Sequence, residues 1–504
     1  MIKNPVLKGF NPDPSAVKVG NTIYIATSSF LWMPGVRIYE TTDLVNYKFT
    51  CDPLTKINME GIPLDCGIWA PQISYVDDMF YLVYTIVTST KRPFKDQKNY
   101  LITAKNIKGP WSKPILLTAS GFDPSFYHEG SKSYLLNTLW DYRLQTPNKS
   151  AGIVMQEYDR KTHQLIGESK HIFNGTAAAK TEASHIYKFN DYYYLITAEG
   201  GTGSDHQVTV CRAKNIWGPY EEDPKNPILT AKDNPDLLLQ CSGHGSIIEF
   251  NNKLYMYHLM TRDFLGQKSM LGRESAVQPI VLKDDWIRLD SHNADPLVVI
   301  KGDFARRKPT KTHFYQDFSK KLSPIFNTLR KYDLKNWTVK TNDGLKVLSG
   351  ESIQSQFNLH LLGYRQTSFE FDAYTNVSFI PNSFNDIAAL SLYLNEENYI
   401  HFMITKNNND EIIGALHYKV RGESIVSTQT IKINQFADHV IEVSVRQNMA
   451  TFICDGVVFP QVIESGFLNT GFTGNFITLS VHNLNYFKSS AAVFKDFYYQ
   501  EVSK

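Results

Sequence analysis

Cysteine is scarce in this chain. The five present among 504 residues, Cys51, Cys66, Cys211, Cys241 and Cys454, are odd in number and widely spaced, with no CxxC pair. That excludes a disulfide framework and a cysteine-based zinc site. No run of about 18 apolar residues occurs, so no transmembrane helix is expected. The opening residues MIKNPVLKGFNPDPS lack the apolar stretch of a signal peptide, which makes a cytoplasmic location the expectation. Charge of one sign is lacking too: 52 Lys and Arg balance 50 Asp and Glu, for a net +2. Without a basic run, neither nucleic acid nor a membrane is an expected partner. Helical patterns are also scarce.

Aromatic residues are plentiful, at 13% with 28 Tyr and 30 Phe. Flat rings suit pleated β-surfaces, and they also suit carbohydrate binding. The length is too great for one ordinary core, so two or three domains are expected.

A sixteen-residue phrase recurs five times. It reads DPSAVKVGNTIYIATS from Asp13, APQISYVDDMFYLVYT from Ala70, DPSFYHEGSKSYLLNT from Asp123, EASHIYKFNDYYYLIT from Glu182 and HGSIIEFNNKLYMYHL from His244. Its twelfth letter is always tyrosine: Tyr24, Tyr81, Tyr134, Tyr193 and Tyr255. Each copy reads as a strand, a Gly, Asn or Asp turn that tolerates positive φ, and an aromatic strand. VRIYETTDL, NYLITAKNI and VTVCRAKNI supply a third strand, and KPILLT and NPILTA a fourth. Units of four antiparallel strands, roughly 60 residues apart, predict a five-bladed β-propeller over residues 1–308. The pattern dissolves in KGDFARRKPTKTHFYQ. Residues 309–504 then read as a β-sandwich: FEFDAY alternates Phe369, Phe371 and Ala373, and Ile441, Val443 and Val445 precede a turn at Gln447-Asn448. The fold class expected is therefore all-β.

In a propeller the innermost strands line one channel. The first letters of the phrase, Asp13, Ala70, Asp123, Glu182 and His244, should therefore form a ring at one end, with Trp69 as a flat wall. Taken singly, Asp in DPS caps a turn, and a lone histidine is ordinary core. Three carboxylates at one repeat position are different, because like charges and desolvation make such a cluster costly. A protonated acid beside an ionised base is the arrangement that glycoside hydrolysis uses.

GFNPDPS (9–15), GIWAPQ (67–72), FDPSFYH (122–128), TEASHIYK (181–188), AEGGT (198–202) and GHGSIIEF (243–250) resemble glycoside hydrolase family 43. More narrowly, they resemble its β-xylosidases with an added carboxy-terminal sandwich. FNTLR (326–330), NDIAALSLYLNEENY (385–399) and FTGNF (472–476) resemble that sandwich. The resemblance implies single-step inversion and release of xylose from the non-reducing end of short xylo-oligosaccharides. An α-L-arabinofuranosidase of the same mechanism is the alternative, since the two sugars present similar outlines. A sugar-binding propeller without catalysis is a third reading. By position, the resemblance makes Asp13 the general base, Glu182 the general acid and Asp123 the residue that tunes and orients the acid. Arg273 corresponds to a sugar- and carboxylate-binding arginine, and Trp69 and Phe30 to pocket walls. Phe476 or Phe472 corresponds to a pocket-closing phenylalanine. His244 corresponds to a central histidine that in some relatives binds a metal; no cofactor is expected to be required, with a calcium ion in the channel as the alternative. Dimers or tetramers are implied as well. Leu31 and Met33 depart from the family pattern where an acidic residue and an aromatic near the pocket are expected, and Ser184 stands where it has proline.

Overall fold

The computed structural model describes every residue except 267, 268, 310, 311, 470, 471, 486–488, 503 and 504. Among the described residues the structure is nearly all β, its helical content being one 3₁₀ turn, Leu334–Asn336. Five antiparallel sheets follow one another along the chain, four with four strands and the fourth with an additional short strand. Their first strands are Ser15–Val19, Gly67–Val76, Gly121–Glu129, Glu182–Phe189 and Gln240–Phe250. These first strands touch in cyclic order, and the fifth meets the first again. The circle is tied further by Ile2–Lys3, which pairs antiparallel with Val299–Ile300.

Local chemistry explains the repeat. All five first hairpins close on two-residue turns, at 20–21, 77–78, 130–131, 190–191 and 251–252. Gly20, Asp77, Asp78, Gly130, Asn190, Asn251 and Asn252 there all have φ between 51° and 59°. Such turns match the twist of the strands they join.

A bulge then interrupts four of the first strands. Pairing jumps from Trp69 to Gln72, from Phe122 to Ser125, from Glu182 to His185 and from Gly243 to Ser246. The first bulge residues, Ala70, Asp123, Ala183 and His244, share positive φ with Asp13. A bulge bends its strand and re-aims a side chain. This corrects the sequence alignment of the fourth phrase by one residue. Tyr187 pairs with Tyr194, as Val17 pairs with Tyr24 and Tyr127 with Tyr134. Ala183 therefore holds the place of Asp13 and Asp123, and Glu182 holds that of Trp69 and Phe122. The run Tyr192-Tyr193-Tyr194 hid the offset, because it supplies a tyrosine in either register.

The rest of the chain forms a ten-stranded and a six-stranded sheet around their own core. Phe371, Ala373, Thr375 and Val377 are buried alternately along Phe371–Ser378, while Phe369 lies outside that strand. Ile441, Val443 and Val445 face the same core, and the hairpin turns at Gln447-Asn448 as expected. Phe402 stacks on Phe452 across it, at 5.5 Å.

Thr328–Leu329 adds an antiparallel strand to Trp32–Met33, sewing the two sheet systems together. A second seam sets the site. The Asn475 amide donates to the Met270 carbonyl at 3.0 Å, and Gly272, at φ +69°, lies under Gly474. A Cβ at position 272 would come within 2.6 Å of the Gly474 nitrogen. Only glycine permits that approach, and it lays residue 472 beside Arg273.

Candidate active site

A cavity of about 490 Å³ opens where the bulges converge. Asp13, Asp123, Glu182, His244, Arg273, Trp69, Phe30 and Phe472 all line it. Asp13, Asp123, Glu182 and His244, up to 231 positions apart, meet because each sits near the start of a neighbouring first strand, the last three at or beside a bulge.

Asp13 is the most tightly held. Arg273 donates from Nη1 to its Oδ1 at 2.7 Å, Ser28 donates from Oγ to Oδ2 at 2.5 Å, and His244 Nδ1 lies 3.5 Å from Oδ1. Burial alone would raise the Asp13 carboxyl, but Arg273, His244 and Ser28 outweigh it and hold the group well below the usual carboxylate range. Ser28 Oγ also accepts the Ala70 amide at 2.7 Å, tying Asp13 to the bulge of the neighbouring first strand.

Glu182 has the opposite surroundings. Burial first, and then the charge of Asp123, push it up to about 8, against the pull of Lys95 and His244. Burial also raises Asp123. For His244, burial is outweighed by the hydrogen bond and charge of Asp13, so it is raised as well. Thr181, the residue before Glu182, donates its hydroxyl at 2.8 Å to Glu199, which is fully buried and also accepts from the Thr176 amide at 2.9 Å.

The walls are aromatic. Phe30 and Trp69 lie 5.7 Å apart, and Phe472 stands edge-on to them at 5.0 and 5.8 Å. Arg273 donates from Nε to the Phe472 carbonyl at 3.0 Å, and its guanidinium lies 4.4 Å from that ring. Trp69 Nε1 and Arg273 Nη2 are buried donors that meet no acceptor among the described residues. Unmatched donors at an aromatic wall suit a polyhydroxylated ligand.

Phe476, expected as a pocket residue, is not one. It is fully buried and stacks on Trp32 at 3.6 Å in the seam between the sheet systems. Phe472 takes the pocket place. Leu31 and Met33 are likewise buried in that seam and do not line the cavity. Ser184 is the second residue of its bulge, as Pro71 and Pro124 are of theirs, and its carbonyl accepts from Ser125 Oγ at 2.5 Å.

Several lining residues escaped sequence reasoning: Asp65, Lys95, Phe122, Trp140, Lys180 and the segment 200–206. Lys95 places its ammonium 3.8 Å from the Phe122 ring centroid, 4.2 Å from that of Trp140 and 4.9 Å from that of Trp69. Burial lowers its pKa, although Glu182 and Asp123 pull it up. Phe122 was signalled by its place before a bulge, as Trp69 was. Lys95 lies in a loop outside the repeat, where no sequence signal marked it.

The fit of a divalent cation at His244 can be judged from its donors. His244 offers one nitrogen to Asp13, and the same carboxylate is already paired with Arg273. Among the described residues the one group of three metal-capable side chains within reach of each other lies elsewhere, at His439, Cys454 and Asp455. The residues at His244 do not form a cage for a cation.

Comparison with known proteins agrees with this geometry. Residues 2–287 match the model of glycosyl hydrolases family 43, and residues 315–500 match the β-xylosidase C-terminal concanavalin A-like domain. A β-xylosidase of Bacillus subtilis (strain 168) is 41% identical over 437 residues, covering 82% of this chain and 80% of that protein. A xylosidase/arabinosidase, 43B, of Humicola insolens is 40% identical over 422 residues, covering 81% and 78%. The crystal structure of a xylan β-1,4-xylosidase from Bacillus halodurans C-125 is 35% identical, with a TM-score of 0.95 over 99% of this chain and 100% of that one. Two carboxyls held in opposite states within one walled cavity, on a chain with these matches over both its parts, place it in glycosyl hydrolase family 43.

Proposed function

We propose that the protein is an inverting, exo-acting β-xylosidase that releases xylose from the non-reducing end of short β-1,4-xylo-oligosaccharides. The observation that carries this reading is the contrast between Asp13, kept ionised by Arg273, and Glu182, kept protonated by burial and by Asp123. Asp13 is the general base. It takes a proton from a water whose oxygen forms the new bond to the anomeric carbon. Glu182 is the general acid and gives its proton to the glycosidic oxygen as that carbon–oxygen bond breaks. The water enters opposite the leaving group, so the configuration inverts. Asp123 keeps the acid protonated at neutral pH and orients it. Arg273 and Trp69 bring the unmatched donors that the sugar hydroxyls would accept from. No step is routed through a metal.

The five sheets are, in this reading, five propeller blades, and the boundary with the sandwich falls at 308/309. The sandwich serves the site through Phe472, which closes one side of the cavity. The relatives named β-xylosidases support the xyloside assignment. The relative named xylosidase/arabinosidase supports a second reading, in which α-L-arabinofuranosides are also cleaved. Steady-state kinetics on 4-nitrophenyl β-D-xylopyranoside, its α-L-arabinofuranoside counterpart and xylobiose test it. A higher kcat/KM for the xyloside and turnover of xylobiose are expected. A large excess for the arabinoside, with xylobiose untouched, would overturn the assignment.

A further inference from the structure

Two large aromatic side chains stand exposed beside the mouth of the cavity. Phe94 is 61% exposed and Tyr142 is 55% exposed, and their ring centroids lie 5.4 Å apart at 44°. Neither ring belongs to a core. Exposed aromatic surface is costly, and where it adjoins a binding cleft it marks a contact for something else.

The pair is mounted on the cavity wall. Phe94 lies between Arg92 and Lys95, and Tyr142 follows Trp140 by two residues; Arg92, Lys95 and Trp140 all line the cavity. Lys95 sends its ammonium over the wall rings Phe122 and Trp140, while the side chain of Phe94 before it goes to Tyr142. Trp140 Nε1 donates to the Pro93 carbonyl at 2.9 Å, bolting the two loops together. The loop that carries Tyr142 is braced from within. The Asp141 amide donates to the Lys149 carbonyl at 2.8 Å, and Arg143 forks onto the Asp141 carboxylate at 2.9 and 2.8 Å. Tyr142 is thus presented by a built loop.

We infer that Phe94 and Tyr142 form a rim platform that stacks the sugar rings of the substrate beyond the leaving unit. This rests on the glycosidase reading above and deepens it. A pyranose presents an apolar C–H face and hydroxyl edges. A flat ring receives that face at little entropic cost, because an aromatic side chain has only two torsions to fix. The occupant is the aglycone part of a β-1,4-linked oligosaccharide of three or more units, since the platform is continuous with the cavity and lies outside it. Binding energy from such remote units can be spent at the reacting centre.

The test is chain-length dependence in the full-length enzyme. kcat/KM would be measured on 4-nitrophenyl xyloside, xylobiose and xylotetraose for the wild type, Phe94→Ala, Tyr142→Ala and the double variant. The double variant should lose about tenfold on xylotetraose, the discrimination a well-packed apolar contact supplies, with the nitrophenyl xyloside unchanged within about twofold. Equal loss on all three substrates, or none on any, would overturn the platform. So would an altered sedimentation coefficient with unaltered chain-length preference, which would make the pair a contact between protein copies. Calorimetry of xylose and xylotetraose on the Glu182→Gln protein, with and without the rim substitutions, judges the platform without turnover. Loss of tetraose affinity alone is expected there, and unchanged tetraose affinity would refute it. Cleavage of the arabinoside alone would sink the xylosidase reading and leave the rim to that calorimetric comparison.

Discussion

Replacing Arg273 by Gln removes the positive charge that keeps Asp13 ionised inside a buried site. The guanidinium nitrogen sits 2.7 Å from the carboxylate oxygen. With charge centres about 4 Å apart and an effective dielectric of about 20, the lost attraction is about 4 kcal/mol. That corresponds to about three pH units. Ser28 and His244 remain on Asp13 and retain part of the stabilisation, so a rise of about one to three pH units is expected. The sign follows from the chemistry. The base works only when ionised, and its folded pKa is depressed, so activity is lost as pH falls through that pKa. In the wild type this acid limb of kcat/KM lies well below the usual carboxylate range. In Arg273→Gln, burial acts with less opposition and the limb moves up towards neutral. KM should rise too, because Arg273 also anchors the Phe472 carbonyl. Arg273→Lys should bring the acid limb back down while leaving KM high, since an ammonium restores the charge without the guanidinium fork. The assay is a pH profile of kcat/KM on xylobiose. An acid limb unmoved by Arg273→Gln would refute the reasoning.

Four further outcomes follow from the same geometry. Glu182→Gln should cost about 10²- to 10⁴-fold in kcat on xylobiose, and clearly less on a nitrophenyl xyloside, whose leaving group needs little protonation; equal losses on both would argue against Glu182 as the acid. Asp123→Asn removes the negative charge that lifts Glu182, so the alkaline limb of the profile should move to lower pH, and a move to higher pH would contradict the tuning role. Phe472→Ala should raise KM with little effect on the melting temperature. Phe476→Ala empties a fully buried place stacked on Trp32 and should cost about 3–5 kcal/mol of stability, measured by denaturant unfolding.

The repeat made most of the first sheet system legible. Turn residues, the tyrosine and the third-strand echoes all mark where a chain with positive φ at its turns must fold back. Four of the five first letters stand where the ring puts them: Asp13, Ala70, Asp123 and His244 share one positive-φ position on their strands, and Trp69 stands just before it. Glu182 belongs to the Trp69 position, and no one-dimensional alignment could show it, because hairpin pairing rather than letter count defines equivalence. Phe472 and Phe476 are four residues apart in a sandwich loop and strand, and which one meets the cavity depends on the Gly272–Gly474 approach. Lys95 and the Phe94–Tyr142 rim were invisible for a related reason. They lie in loops between strands, where no periodicity constrains the residue and only the folded wall gives it meaning.

The central claim is that a water activated by Asp13 attacks opposite a leaving group protonated by Glu182. Proton NMR of the first xylose formed from xylobiose, recorded before mutarotation, reads this directly. The account predicts that the sugar released from the non-reducing end appears as the α-anomer. Initial appearance of the β-anomer would contradict it.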